Sequence, residues 1–152
     1  MQPTAHDLAA QALLEGLVEG DLGKLLPMVS VLRMVKDEYI FKEREACRGI
    51  YMIKAGRIEI SKTTADGWKQ PLVILTQGNF IGEIATLEKT DHATDARVLE
   101  NAELILFPKE AFETLEKTEP SIMLTVIKNI AIVSALNVRR MNEKFIKVLV
   151  NY

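Results

Sequence analysis

A β core flanked by helices is the fold class that this 152-residue sequence predicts. From Val31 to Phe107, short runs rich in β-branched and aromatic residues alternate with glycine-containing turns. Before and after that stretch, apolar side chains recur at helical spacing. Many short strands so spaced fold as an all-β barrel or a double-sheet jelly roll. With 48% hydrophobic and 26% charged residues, the chain has material for one core and one domain, residues 1–152.

The elements follow in order. Leu8, Leu13, Leu14, Leu17, Leu25 and Leu26 lie at roughly helical spacing, with Gly20 and Gly23 as breaks and Pro27 as a stop, so residues 1–30 read as two short helices. The jelly roll occupies 31–108, with strands at VLRMV, YIF, IYMIK, RIEIS, LVIL, ARVL and ELILF. Gly56, Gly67 and Gly78 fall between strands, in AGR, ADGW and TQGN, where turns require positive φ. Pro108 closes the last strand, and 109–150 return to helix: KEAFETLEKT, then a long helix opened by Pro120 and reaching about Val150.

One stripe of that last helix runs through Met123, Ile127, Ile130, Ser134, Asn137, Met141, Phe145 and Val148, with Ile122, Val126, Val133 and Leu136 beside it. A helix apolar over so much of its circumference needs cover on more than one side. The expected arrangement is a homodimer in which the helix pairs with its copy and Asn137 sets the register.

Composition excludes several functions. The formal net charge of -2 and pI near 5.8 provide no electrostatic attraction for a nucleic acid. A single cysteine, Cys47, rules out an intramolecular disulfide or thiolate cluster within one chain and suits a reducing compartment; it reads as a small half-buried residue near a turn. The start, MQPTAHDLAA, is not a signal peptide, and His6 beside Asp7 reads as a surface residue in a first helical turn. The longest apolar tract, Ile122 to Leu136, is shorter than a bilayer requires and contains Lys128 and Asn129. A cytoplasmic protein without membrane attachment is expected. Two histidines, one cysteine and no serine in a nucleophile motif supply no catalytic constellation, so no enzyme is expected.

The informative loop is GNFIGEIATLEKTDHATDARV, Gly78 to Val98. Gly82 permits close approach of a ligand to the backbone, and N–H groups opening a helical turn attract anions. Leu75, Gly78, Gly82, Glu83, Ile84 and Ala85, with Phe80 one place early, match L-x-x-G-x-x-F-G-E-[ILM]-A. Upstream, Glu38, Ile40, Phe41, Glu43, Tyr51, Ile53, Gly56 and Ile58 match a second pattern, and VLENAELILFPKEAFETL continues the likeness. Over about Leu13 to Phe145, the chain resembles the cyclic nucleotide-binding domain family, which includes catabolite activator proteins and the regulatory subunits of protein kinase A.

That resemblance implies a β jelly roll (double-stranded β-helix) with a long C-terminal helix used for dimerisation. It also implies a small-molecule site for cAMP or cGMP at Gly82, Glu83, Ile84, Ala85, His92, Ala93, Thr94 and Asp95, joined by Asn137 of the long helix. Glu83 stands where the family's glutamate accepts from the ribose 2′-OH. His92 takes the place of the arginine that pairs with the cyclic phosphate, Asp91 that of a proline, and Asp95 that of a threonine near the base. Arg97 is no substitute, since members that keep the arginine often carry a second basic residue there. Arg44, Cys47 and Arg48 replace Gly, Gly and Asp; both arginines read as solvated, the alternative being that one reaches the site.

A reference histidine is only about a quarter protonated at pH 7, and neighbouring acids would raise that fraction while repelling phosphate. A contact charge pair near a surface is worth about 4 kcal/mol at an effective dielectric of 20, so the exchange removes most of the expected cAMP affinity. Three readings remain: a regulatory sensor signalling through its last helix, a degenerate module that only dimerises or docks a partner protein, and, least favoured, a metal site at Glu83, Asp91, His92 and Asp95. The sequence ends at VLVNY without the DNA-reading domain of catabolite activators, so output is expected from this domain or a separate partner.

Overall fold

The computed structural model describes residues 1–151. Two short helices, α1 (Ala5–Ala9) and α2 (Glu19–Leu25), open the chain, each followed by a 3-10 turn. α1 begins where the Thr4 hydroxyl accepts the Asp7 N–H and the Asp7 carboxylate accepts the Thr4 N–H, satisfying two otherwise orphaned donors. His6 is exposed in that turn. Gly20 and Gly23 lie inside α2 and do not break it. Burial of Leu22 and Leu25 outweighs the roughly 1 kcal/mol that each glycine costs relative to alanine.

The β core comprises β1 (Ser30–Met34), β2 (Tyr39–Phe41), β3 (Gly49–Thr63), β4 (Lys69–Leu75), β5 (Phe80–Ile81) and β6 (Asp95–Pro108). Every pairing is antiparallel; the order is β1-β6-β3-β4, with β2 on β6 and β5 on β3. The runs IYMIK and RIEIS, expected as separate strands, are one strand, as are ARVL and ELILF. Register shifts between Ile53 and Ile58 absorb the extra residues as bulges, so the chain bends without reversing. Gly56 is therefore not in a turn. It sits within β3 at φ +102, where a Cβ would stand 2.7 Å from the Ala102 Cα, and its role is close strand approach. Gly67 and Gly78 do lie in turns.

Alternation along the strands divides the interior in two. Ile50, Met52, Phe80, Ile105 and Phe107 face a cluster built with the helices, while Tyr51, Ile53, Ile81, Leu104 and Leu106 face the inside of the jelly roll. α4 (Lys109–Thr118) adds Phe112 and Leu115 to the helical cluster. α5 (Pro120–Val150) has 31 residues, about 46 Å, and adds Ile122, Met123, Val126 and Ile130. Its Asn129 amide donates to the carbonyls of both Leu13 and Glu15 at 2.9 Å, tying it to the amino-terminal segment.

Beyond Ile130, no described residue of α5 is buried. The expected stripe needs correction, because Met123 and Ile130 belong to the protein's own core. Exposed apolar residues include Ile132, Leu136, Ile146 and Leu149, and one row among the rest runs through Leu124, Ile127, Ala131, Ser134, Val138, Met141, Phe145 and Val148 in alternating steps of three and four, exposed except at half-buried Ser134. By length and composition, α5 as a whole could cross a membrane, contrary to the estimate from the shorter Ile122–Leu136 tract. Its first half is held by the core, however, and its second half carries Arg139, Arg140, Glu143, Lys144 and Lys147, which hydrocarbon would not accommodate.

Candidate ligand site

β5 is the hinge between the two clusters and the loop that follows. Phe80 points to the helices, Ile81 into the jelly roll, and Gly82 then turns the chain into α3 (Glu83–Glu88). Gly82 adopts φ +88, and a Cβ there would stand 2.7 Å from the Gly49 carbonyl oxygen, so both conformation and space demand glycine. The Thr86 hydroxyl donates back to the Gly82 carbonyl at 2.8 Å, and the Cys47 sulfur lies 3.3 Å from that hydroxyl. Cys47 is buried, more so than the half-buried position expected.

Glu83 is half-buried, and its side chain has no partner among the described residues beyond its own backbone N–H. Burial pushes its carboxyl above the usual range, a shift that this N–H only partly opposes. The neighbouring Ile84 is exposed and Ala85 buried.

His92 is 5% exposed. Its ring stacks on Phe41 with centroids 3.6 Å apart and planes 5° from parallel, and its Cε1 lies 3.6 Å from where a Gly82 Cβ would stand. The main chain fixes this placement: the Arg44 N–H donates to the His92 carbonyl at 2.7 Å, and the His92 N–H to the Glu45 carbonyl at 3.0 Å. Burial lowers the His92 pKa, against the smaller opposing influence of Glu45 and Asp91. This corrects the expectation that nearby carboxylates raise its protonation, because desolvation outweighs them.

Asp95 is buried as well and has partners of its own. Its carboxylate meets Lys69 Nζ at 2.8 Å and accepts the Glu43 N–H at 2.8 Å. Burial alone would raise its pKa, but Lys69 and that N–H hold it below the usual range. Lys69, which also donates to the Tyr39 hydroxyl at 3.0 Å, is pushed up to about 12. Lys62 donates to the Ala93 carbonyl at 2.7 Å, while Thr94 is half-buried beside it.

The structure thus gathers Gly82, Glu83, Ala85, His92 and Asp95 with Ala93 and Thr94 in one loop. Asn137 does not join them; it is exposed on α5 beyond Ile130. Glu83, Asp91, His92 and Asp95 form no metal-ligand cluster. Arg97 pairs with Asp37 and Glu59, both at 3.6 Å. Arg44 and Arg48 are exposed and form no ion pair among the described residues; Arg48 lies beside the Tyr51 hydroxyl, whose pKa burial raises and Arg48 partly restores. A shallow cleft of about 190 Å³ separates α3 from α4, bounded by Thr86, Lys109, Phe112 and Glu113. Phe41 and Lys69 are the site residues that sequence reading misses. Both are distant in sequence, and only strand pairing brings them to the loop.

Residues 31–119, more than half of the chain, match the family model described as the cyclic nucleotide-binding domain. The chain belongs to that family. It is 34% identical over 99 residues to the anaerobic regulatory protein of Bacillus subtilis (strain 168), covering 64% of this chain and 42% of that protein. The catabolite activator protein of Thermus thermophilus shares the fold with a TM-score of 0.77 and 20% identity, over 91% of this chain and 63% of its own. The regulatory subunit of a cAMP-independent protein kinase A from Trypanosoma cruzi, bound to guanosine, aligns with a TM-score of 0.72 and 25% identity, over 84% of this chain and 44% of its own. The chain therefore spans less than half the length of the Bacillus protein. The jelly roll with flanking helices and a long C-terminal helix is the architecture of these neighbours.

Proposed function

We propose that this protein is a non-enzymatic, cytoplasmic regulatory module in which a small nucleotide-like ligand at the Gly82–Asp95 loop governs the pairing of α5 with a second copy of the chain. The observation that carries it is the row from Leu124 to Val148, whose alternating three- and four-residue steps are those of a two-helix seam. Val138, Met141 and Phe145 are 54%, 68% and 64% exposed, and full cover of each such side chain is worth about 1.5–3 kcal/mol. Arg139, Arg140, Glu143 and Lys144 lie off the row, where solvent would reach them in a pair.

Phe80 offers the mechanical link. It directly precedes Ile81 and Gly82 yet packs in the same cluster as Ile122, Val126 and Ile130 of α5, so a shift of the loop bears on the helix that carries the seam. Ligand would favour whichever arrangement of loop and helix binds it better. The guanosine-bound relative supports a nucleoside-bearing ligand in this fold. A second reading, a module that binds nothing and acts by pairing or docking, draws on the His92–Phe41 stack, which occupies the place beside Gly82.

Replacing Val138 and Met141 together by Glu tests the seam. Sedimentation should report a dimer for the parent and a folded monomer for the variant; a variant that stays dimeric refutes the assignment. Thermal shift separates the two readings of the loop, because ligand at about one hundred times its dissociation constant adds roughly 2.7 kcal/mol.

A further inference from the structure

We infer that α5 carries a second face for its own copy, a row through Ile132, Leu136, Arg139, Glu143, Ile146 and Val150 that pairs antiparallel with the same row of another chain. The inference goes beyond the seam proposed above and needs no ligand.

The row advances in steps of four and three, the spacing that keeps one edge of a helix facing a partner. At about 100° per residue it lies roughly 140° around α5 from the seam row, so a partner on one row leaves the other open. Its four apolar side chains are between 42% and 76% exposed. Arg139 and Glu143 are exposed too and form no ion pair among the described residues. Upstream, the protein covers this side of α5 itself: Asn129 is tied to Leu13 and Glu15, and a Cβ on Gly16 would stand 3.8 Å from the Thr125 methyl. The row opens where that cover stops.

Its chemistry is the same read from either end. About a two-fold axis at Met141, Ile132 meets Val150, Leu136 meets Ile146, and Arg139 meets Glu143, each contact being made twice. These are the layers of an antiparallel helix pair, stacked over about 27 Å. A parallel pair in register would instead set each Arg139 against its copy and each Glu143 against its copy, so charge selects the antiparallel sense. Arg140 and Lys147 border the row on one side and meet like charges across the pair, which keeps this contact weaker than the seam. In a pair joined by the seam the two rows point to opposite sides, so further pairs add alongside without closing a ring.

Sedimentation of the full chain across a concentration series tests the face. At micromolar concentration the seam alone should hold; at roughly a hundredfold higher concentration the parent dimer should give way to larger assemblies, while Val138→Glu with Met141→Glu should stop at a dimer. Arg139→Glu or Glu143→Arg alone should weaken the second association about tenfold or more, and the two together should restore it, because the pair is then opposite in charge again. Leu136→Cys with Ile146→Cys should form a disulfide between copies under oxidation, and Leu136→Cys alone should not. A parent that stays dimeric throughout, a double charge swap that restores nothing, or cross-linking through Leu136→Cys alone would each overturn the inference. A parent that is monomeric at micromolar concentration and reaches only a dimer, yet obeys the charge swap, would uphold this face and overturn the seam.

Discussion

Gly82 and His92 occupy adjoining space, and each makes a separate prediction. Gly82→Ala adds a Cβ 2.7 Å from the Gly49 carbonyl oxygen to a residue at φ +88. Left-handed strain of about 1–2 kcal/mol and overpacking of about 1–3 should together cost roughly 2–5 kcal/mol in denaturant unfolding. His92 predicts a pH dependence. Its folded pKa lies below the reference 6.5, so between the two values the unfolded chain binds more protons and stability rises with pH. The contribution is complete above about pH 6.5 and is lost as pH falls through the folded value. His92→Leu should flatten the slope of melting temperature against pH between about 5 and 7.5; an unchanged slope would assign the titration elsewhere. At this scale the sequence revealed identities without surroundings. His92 and Asp95 were legible as departures from a pattern, but the Phe41 stack and the Lys69 pair that set their electrostatics were not.

At the scale of elements, α5 is two structures in one helix. Up to Ile130 one side of it packs in the core, and after Ile130 it is a rod with no buried residue among those described. Asn129 marks the anchored half by joining it to the chain around Leu13 and Glu15. Asn129→Ala leaves both carbonyls without that donor and should cost about 1–3 kcal/mol of stability. If pairing depends on the far half alone, the dimer seen by sedimentation should survive that change. Helical periodicity was legible in the sequence, as was the excess of apolar surface. Which residues of the excess the protein's own core covers was not, because Met123 and Ile130 have the same spacing and chemistry as the exposed residues of the helix. Strands behaved likewise: each apolar run was legible, but the joining of runs into β3 and β6 depended on bulges that a partner strand defines.

For the whole molecule, the helical cluster joins Phe80, at the entrance to the Gly82–Asp95 loop, to the core half of α5, whose far half is exposed. The sequence by itself determined the order of helices, β core and helices, the family, and the residues Gly82, Glu83 and His92 that make this loop unusual. These are local properties: periodicity, turn chemistry and side-chain identity at fixed spacing. Tertiary structure alone decided that Asp95 is neutralised by Lys69, that His92 is buried against Phe41, and that α5 runs uncovered past Ile130. The physical reason is that charge, protonation and exposure depend on what lies within a few ångströms in space. In an antiparallel fold, those neighbours come from strands far away in the chain.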